Sequence, residues 1–560
     1  MCSNFGRQQI LLMQNCLRCF ALLLLSTIFE SCHARQPDTL RYIDHAWKTL
    51  TRSLDDCSAL GNDSKHGKTV LYLPAEIPSS THIGALGRKC EVRIRHLPKP
   101  ITRLGQLSSN RFPAGGLLYL PKPYVVPGGF FNEMYGWDSY FITLGLHQDR
   151  HAELARDMVE NFLFEVEHYG AVLNANRTQY LTRSQPPFLG EMIRDVLADP
   201  RSFPSKAAAQ AWLQRAYPLA VRDHDVWTQP GHRAGKTGLA RYFDYGGAQP
   251  APEMRNAEYL IGVIEWLVAH PHHRRGYLIR ASEHPGAKEA SHLAKVSCDP
   301  RKSKVCADAW FAGYRLSAGF YRGDRAMRES GFDTSFRFGP YDGSTHQYAA
   351  VGLNALLYRY EIDLQYLANR LGRPADARHW SAVASARRKA MDKYLWRADK
   401  GLYMDYDFIS GEPSDYAYVT TFWPLWARAA STKQAAAVRD NLKIFERKGG
   451  LMTSTNVSGA QWDAPYGWAP TNWLAVAGLD RYGFHADARR LARKFMATID
   501  RGLADDGTIR EKYNMVTGTA KVNITAGYTA NVIGFGWTNG VYLKMHRLLQ
   551  GVADTVNARH

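Results

Sequence analysis

A helical period broken by long connections constrains this chain most. Leu353, Leu356, Tyr360, Leu364, Leu367 and Leu371 return at steps of three and four until Gly372 and Pro374 stop them, which is the spacing of one apolar helix face. Leu154, Met158 and Phe162 before Gly170 follow the same rule, as do Ala488, Leu491, Phe495 and Ile499 before Gly502. Strand-like alternation is rare. Between the helical stretches lie Gly-, Pro- and aromatic-rich connections, notably 121–141, 171–190, 450–473 and 502–541. Connections of that length are uncommon inside a compact domain unless they carry function. Periodicity therefore predicts a largely helical fold whose loops hold the chemistry, with no linker between about 110 and 550.

The first long connection reads Pro127-Gly128-Gly129-Phe130-Phe131-Asn132-Glu133-Met134-Tyr135-Gly136-Trp137-Asp138-Ser139-Tyr140. Glycines let backbone approach a ligand, and here aromatic rings alternate with carboxylates. Sugars ask for that mixture, because their C–H faces pack on rings while their hydroxyls need two-acceptor carboxylates or forks of donors. Further on come Asn176-Arg177, Arg183-Ser184-Gln185-Pro186-Pro187, Gln461-Trp462-Asp463-Ala464-Pro465-Tyr466-Gly467-Trp468-Ala469-Pro470, and Gly534-Phe535-Gly536-Trp537-Thr538-Asn539-Gly540-Val541.

The 70 Lys and Arg against 52 Asp and Glu give a net charge of +18, but the basic residues are scattered rather than clustered, which argues against a nucleic-acid partner. His270, His272 and His273 have no following ligand at diagnostic spacing, so no metal site is expected. No Walker A motif and no dinucleotide fingerprint occur, so no cofactor is expected either. At the amino terminus Arg7 and Arg18 precede the apolar run Phe20–Phe29 and the small-residue sequence ending at Ala34, the pattern of a secretory signal. The run is too short to span a bilayer, so the expectation is an exported protein, periplasmic or secreted, with no stable membrane anchor after cleavage. Beyond residue 34 the cysteines are Cys57, Cys90, Cys298 and Cys306. Pairing 57 with 90 and 298 with 306 would close two short loops, but four cysteines allow three connectivities, and free thiols are the alternative.

The connections at 127–140 and 461–470 resemble the two signature motifs of the trehalases among the glycoside hydrolases. The blocks Arg183–Pro187, Glu329-Ser330-Gly331-Phe332-Asp333 and Gly534–Val541 resemble further family blocks in the same order, and Asp63-Ser64-Lys65 is similar to an early one. The resemblance implies an all-α (α/α)6 toroid of paired helices whose loops enclose a disaccharide at one end. Along the chain the expected division is residues 1–34 as signal peptide, 35–110 as an N-terminal arm packing on the barrel, 111–550 as the catalytic domain and 551–560 as a tail. By the same resemblance Asp333 matches the general acid and Glu511, in Glu511-Lys512-Tyr513-Asn514, the general base of an inverting hydrolysis of trehalose to two glucose molecules. Trp137, Asp138, Asn176, Arg183, Gln185, Trp462 and Trp537 would line the pocket, and a monomer is expected. Inversion needs the two carboxyls roughly 6.5–9.5 Å apart, one to protonate the leaving oxygen and one to activate water. It also needs the pKa of Asp333 raised, for which Phe332 and Phe336 offer an apolar neighbourhood.

The chain departs from the family pattern at three places. Phe130 and Ala251 stand where the family presents arginines, leaving Arg183 of three, with Arg241 or Arg255 as candidate substitutes. A glycine run ending in Gly-Glu-Tyr is replaced by Asn523–Ile533, with loss of a carboxylate. These departures keep open another α-linked or substituted disaccharide as substrate, or a sugar-binding protein without turnover.

Overall fold

The computed structural model describes residues 38–60, 70–108, 112 and 115–551. The expected signal peptide at 1–34, the block Asp63–Lys65 and residues 552–560 of the expected tail lie outside the described residues. The chain divides into two units, Met1–His45 and Ala46–His560. Of the first, the described residues 38–45 belong to a helix, Asp38–Leu50.

The second unit is built mainly of helices, here α1 (Gly136–Gln148), α2 (Ala152–Tyr169), α3 (Leu189–Ala198), α4 (Lys206–Val226), α5 (Glu258–Ala269), α6 (Ala318–Ser330), α7 (Val351–Arg370), α8 (Pro374–Tyr394), α9 (Trp423–Trp426, continuing a 3₁₀ turn at Val419–Phe422), α10 (Thr432–Asp440), α11 (Ala469–Arg481), α12 (His485–Asp506) and α13 (Gly536–Leu549). Six of them meet in ring order: α1 packs on α3, α3 on α7, α7 on α9, α9 on α11, α11 on α13, and α13 returns to α1. Helices α2, α4, α8 and α12 lie against this inner ring. The arrangement is the expected (α/α)6 toroid. Strands are few and short. The longest described sheet pairs Val70–Leu73 in parallel with Arg93–His96 and Leu117–Leu118.

The first turns of the inner helices are buried on every side. In α1 every residue from Gly136 to Leu146 is buried. Its close crossing with α13 depends on two glycines: a Cβ on Gly540 would lie 2.0 Å from the Phe141 carbonyl, and one on Gly145 would lie 2.5 Å from the Gly540 Cα. Outer helices show the amphipathic spacing. Helix α2 ends at Gly170 in the left-handed region (φ 89°) as its sequence predicts. Helix α7 ends at Arg370, and Pro374 opens α8 at its first turn. The predicted stop at Gly502 is different, because α12 runs on to Asp506 and ends at the left-handed Gly507. Gly502 is instead a contact point, where a Cβ would meet the Tyr513 ring at 3.2 Å.

Two disulfides join Cys57 to Cys90 and Cys298 to Cys306, closing loops 33 and 8 residues apart in sequence. Among the described residues no helix is long and apolar enough to cross a membrane.

Candidate active site

The N-terminal ends of α1, α11 and α13 open on a cavity of about 520 Å³, within the roughly 300–1,000 Å³ usual for small-molecule sites. The long connections supply its wall. Trp137 and Asp138 occupy the first turn of α1, where the Trp137 amide donates to Gln185 Oε1 at 3.0 Å. Gly136 makes this possible, since a Cβ there would meet Gln185 at 3.0 Å and the Leu173 carbonyl at 3.1 Å.

The floor is a cluster of rings. Trp462 stacks on Trp468 with centroids 3.7 Å apart and planes 5° from parallel. Trp137 lies 5.9 Å from Trp462, 5.7 Å from Trp537 and 5.4 Å from Phe332. Offset and edge-on rings at these spacings attract one another and hold a rigid apolar platform. Phe332 therefore does sit beside the pocket, while Phe336 packs away from it on Trp266 and Tyr341.

Three carboxyls converge above this floor. Asp333 follows α6 through Gly331, whose left-handed backbone (φ 75°) turns the chain, and whose Cβ would strike Trp137 at 2.9 Å. Burial raises the Asp333 carboxyl to about 6, against the pull of Arg328 and Arg183. Its backbone carbonyl accepts from Gln461 Nε2. Glu511 precedes the short strand Lys512–Asn514, which pairs antiparallel with Tyr466–Trp468. Lys512 Nζ lies 2.8 Å from Glu511 Oε2, donates also to the Ala530 carbonyl and stands 4.9 Å over the Trp468 ring. The Trp537 indole donates to the Glu511 carbonyl at 3.3 Å. Burial pushes Asp138 well above the usual carboxylate range, and the nearby charges of Glu511 and Asp333 add to it.

A second group faces the outer half of the cavity. Arg183 Nη2 donates to Glu253 Oε1 at 2.6 Å, and its guanidinium covers the Tyr180 ring at 4.7 Å. Arg328 Nη1 reaches the same Glu253 oxygen at 3.4 Å and donates to the Tyr528 hydroxyl. Burial by itself would raise Glu253, but Arg183 and then Arg328 outweigh it and hold the carboxyl down at about 2.

Of the residues singled out in the sequence, Trp137, Asp138, Arg183, Gln185, Trp462, Trp537, Asp333 and Glu511 line one cavity. Asn176 does not. Its Oδ1 accepts from the Met134 amide at 2.8 Å and its Nδ2 donates to the Leu118 carbonyl at 2.9 Å, so its side chain is used to clamp the loop from behind. Asn174, two residues earlier, lines the cavity in its place. Arg255 lines it too, whereas Arg241 is turned to the His346 carbonyl. The sequence reading missed Arg328 and Tyr528. Tyr528 lies in the segment that replaces the glycine run, and its hydroxyl meets the arginine. Arg328 sits five residues before Asp333 on α6, one residue ahead of a motif that was read without it.

An aromatic-floored, carboxylate-lined cavity at one end of a helical toroid defines a glycoside hydrolase. A family model for trehalases matches residues 87–550, and the chain belongs to that family. It is 34% identical to a probable trehalase of Eremothecium gossypii, over 90% of this chain and 71% of that one. With the cytosolic neutral trehalase of Kluyveromyces lactis it shares 33% identity, over 89% and 69%. The solved neutral trehalase Nth1 of Saccharomyces cerevisiae superposes with a TM-score of 0.73 at 30% identity, covering 91% of this chain and 93% of that one. Family membership supports hydrolysis of trehalose.

These relatives overturn one expectation. Those of Kluyveromyces lactis, Pyricularia oryzae, Neurospora crassa and Saccharomyces cerevisiae are named cytosolic. The names of these relatives point away from export and from the periplasmic or secreted location expected from the sequence.

Proposed function

We propose that the chain hydrolyses α,α-trehalose to two glucose molecules with inversion, Asp333 acting as general acid and Glu511 as general base. The carrying observation is the unequal setting of the two carboxyls. Asp333 lies where burial raises it to about 6, so near neutral pH a useful fraction keeps a proton for the leaving oxygen. Glu511 has a lysine ammonium 2.8 Å from its Oε2, a charge-assisted contact that fixes the position of the carboxylate beside Asp333 and Asp138. Trp137, Trp462 and Trp537 form the apolar face for one glucose ring, and Asp138, Asn174 and Gln185 stand beside it for hydroxyls. Arg183, Glu253 and Arg328 serve the second ring. Because one chain supplies every group, a monomer suffices.

Proton NMR of the earliest product tests the stereochemistry. Attack by water with inversion makes one β-glucose and releases one α-glucose, so the two anomers should appear in equal amounts before mutarotation. Release of α-glucose alone would require retention and would remove Glu511 from the role of base to water.

A further inference from the structure

The outer half of the cavity is not a sugar-like surface on all sides. One wall is built from Pro127, Phe130, Phe131, Val532 and Phe535. Phe130 is 51% exposed although it lines a cavity, and Ile533 beside this wall is 54% exposed. Segments 127–131 and 532–535 are pressed together there, since a Cβ on Gly128 would meet Val532 at 3.1 Å and Phe535 at 3.5 Å. The rings continue inward. Phe130 lies 5.5 Å from Phe131, Phe131 6.4 Å from Phe535, Phe535 4.7 Å from Trp537, and Trp537 5.7 Å from Trp137. An unbroken aromatic track thus runs from the mouth to the floor on which the scissile sugar would lie.

The hydroxyls of an unsubstituted disaccharide gain nothing from five apolar side chains, and water against those rings is unfavourable. The wall is concave and continuous with the catalytic cavity, so its occupant is small and arrives with the sugar. On the reading that this site hydrolyses a trehalose-type disaccharide, we infer that it accepts trehalose carrying an apolar acyl group on the leaving glucose, and that Phe130 is a residue determining that specificity. The primary hydroxyl projects furthest from the ring and is the position from which an acyl chain reaches the mouth. In the reaction, water adds across the glycosidic bond alone. Its oxygen goes to the inverted glucose and its released proton to Glu511, the leaving oxygen takes the proton from Asp333, and the ester bond remains on the released acylglucose.

The test measures kcat/KM of the full chain on trehalose, 6-O-octanoyl-trehalose below its micelle concentration and trehalose 6-phosphate. The octanoyl ester should exceed trehalose by about tenfold or more, mainly through KM, as burial of several methylene groups requires. Phe130→Ser should reduce that ratio at least fivefold, and Phe130→Leu should keep most of it. Equal or poorer hydrolysis of the ester, with trehalose turned over normally, overturns the inference and leaves the trehalase reading standing. Preference for the phosphate does the same and assigns the mouth to Arg255. An ester advantage untouched in Phe130→Ser removes Phe130 from the role. Failure on all three sugars, with the protein folded, refutes the glycosidase reading on which the inference rests.

Discussion

Replacing Asp333 with asparagine separates the catalytic role of this carboxyl from its cost. Its pKa rises from the ordinary 3.8 to about 6 in the fold, chiefly by burial. A group held higher in the folded state than in the unfolded one adds stability below the unfolded value, and that contribution is lost as pH rises through the folded value. Above pH 6 the wild-type fold therefore holds an ionised carboxylate that it disfavours by ~3 kcal/mol, at 1.36 kcal/mol for each tenfold change in proton affinity. Asparagine carries no such charge. Asp333→Asn should lower kcat by at least about a hundredfold, the lower end of acid–base contributions, and at the same time stabilise the protein near pH 8. Near pH 4 the stability gain should largely vanish, because the folded-state carboxyl is then protonated and the unfolded one, close to its own pKa of 3.8, is about half protonated. Urea unfolding followed by tryptophan fluorescence at the two pH values reads the difference. A stability change of the same size at both, or a loss at pH 8, would refute the burial argument whatever the activity.

The kcat/KM of the wild type should fall as pH rises through about 6, when Asp333 loses its proton; a rate flat from pH 5 to 8 would exclude it as the acid. Glu511→Gln should cut kcat by about a hundredfold or more, and near-wild-type turnover would remove it as the base. Lys512→Met leaves Glu511 without its 2.8 Å partner. Turnover should drop at least about tenfold and stability by ~3 kcal/mol, the lower range for breaking a buried pair, as measured by initial rates and urea unfolding.

The sequence was informative where burial is one-sided. The Leu353–Leu371 period and the Gly170 stop predict real helices because α2 is amphipathic along its length and α7, although an inner helix buried all round over Val351–Glu361, keeps one unburied face beyond that stretch. Helix α1 left no such trace, being buried from Gly136 to Leu146, and was read only as a loop motif. Gly502 misled because a glycine that ends a helix and a glycine that admits a neighbouring ring look alike in sequence. Asn174 and Asn176 differ only in which side of the loop they face, and no spacing rule reports that. Arg328 had the same difficulty from the other direction. An arginine in a charged helix reads as solvent-facing until Asp324, Glu253 and Tyr528 are seen around it.

Those partners explain how a pocket for a neutral sugar tolerates buried guanidiniums. An isolated buried cation would be prohibitive, and two side by side would repel. Glu253 lies between them, accepting from Arg183 at 2.6 Å and Arg328 at 3.4 Å. Asp244, 3.7 Å from Arg183 and 2.9 Å from a third cation, Arg325, and Asp324, 3.1 Å from Arg328, complete a cluster of three arginines and three carboxylates. With the charges balanced among protein groups, the N–H donors left over are free to be spent on hydroxyls without demanding an anion. Where Ala251 and Phe130 offer no guanidinium, Arg328 on α6 brings one to the cavity, and Tyr528 accepts from it out of the segment that carries no glutamate. Two of the three guanidiniums lining this pocket, those of Arg183 and Arg328, are thus gathered around Glu253, and the wall from Phe130 to Phe535 is left to apolar contact. That division makes specificity at the mouth separable from catalysis at the floor.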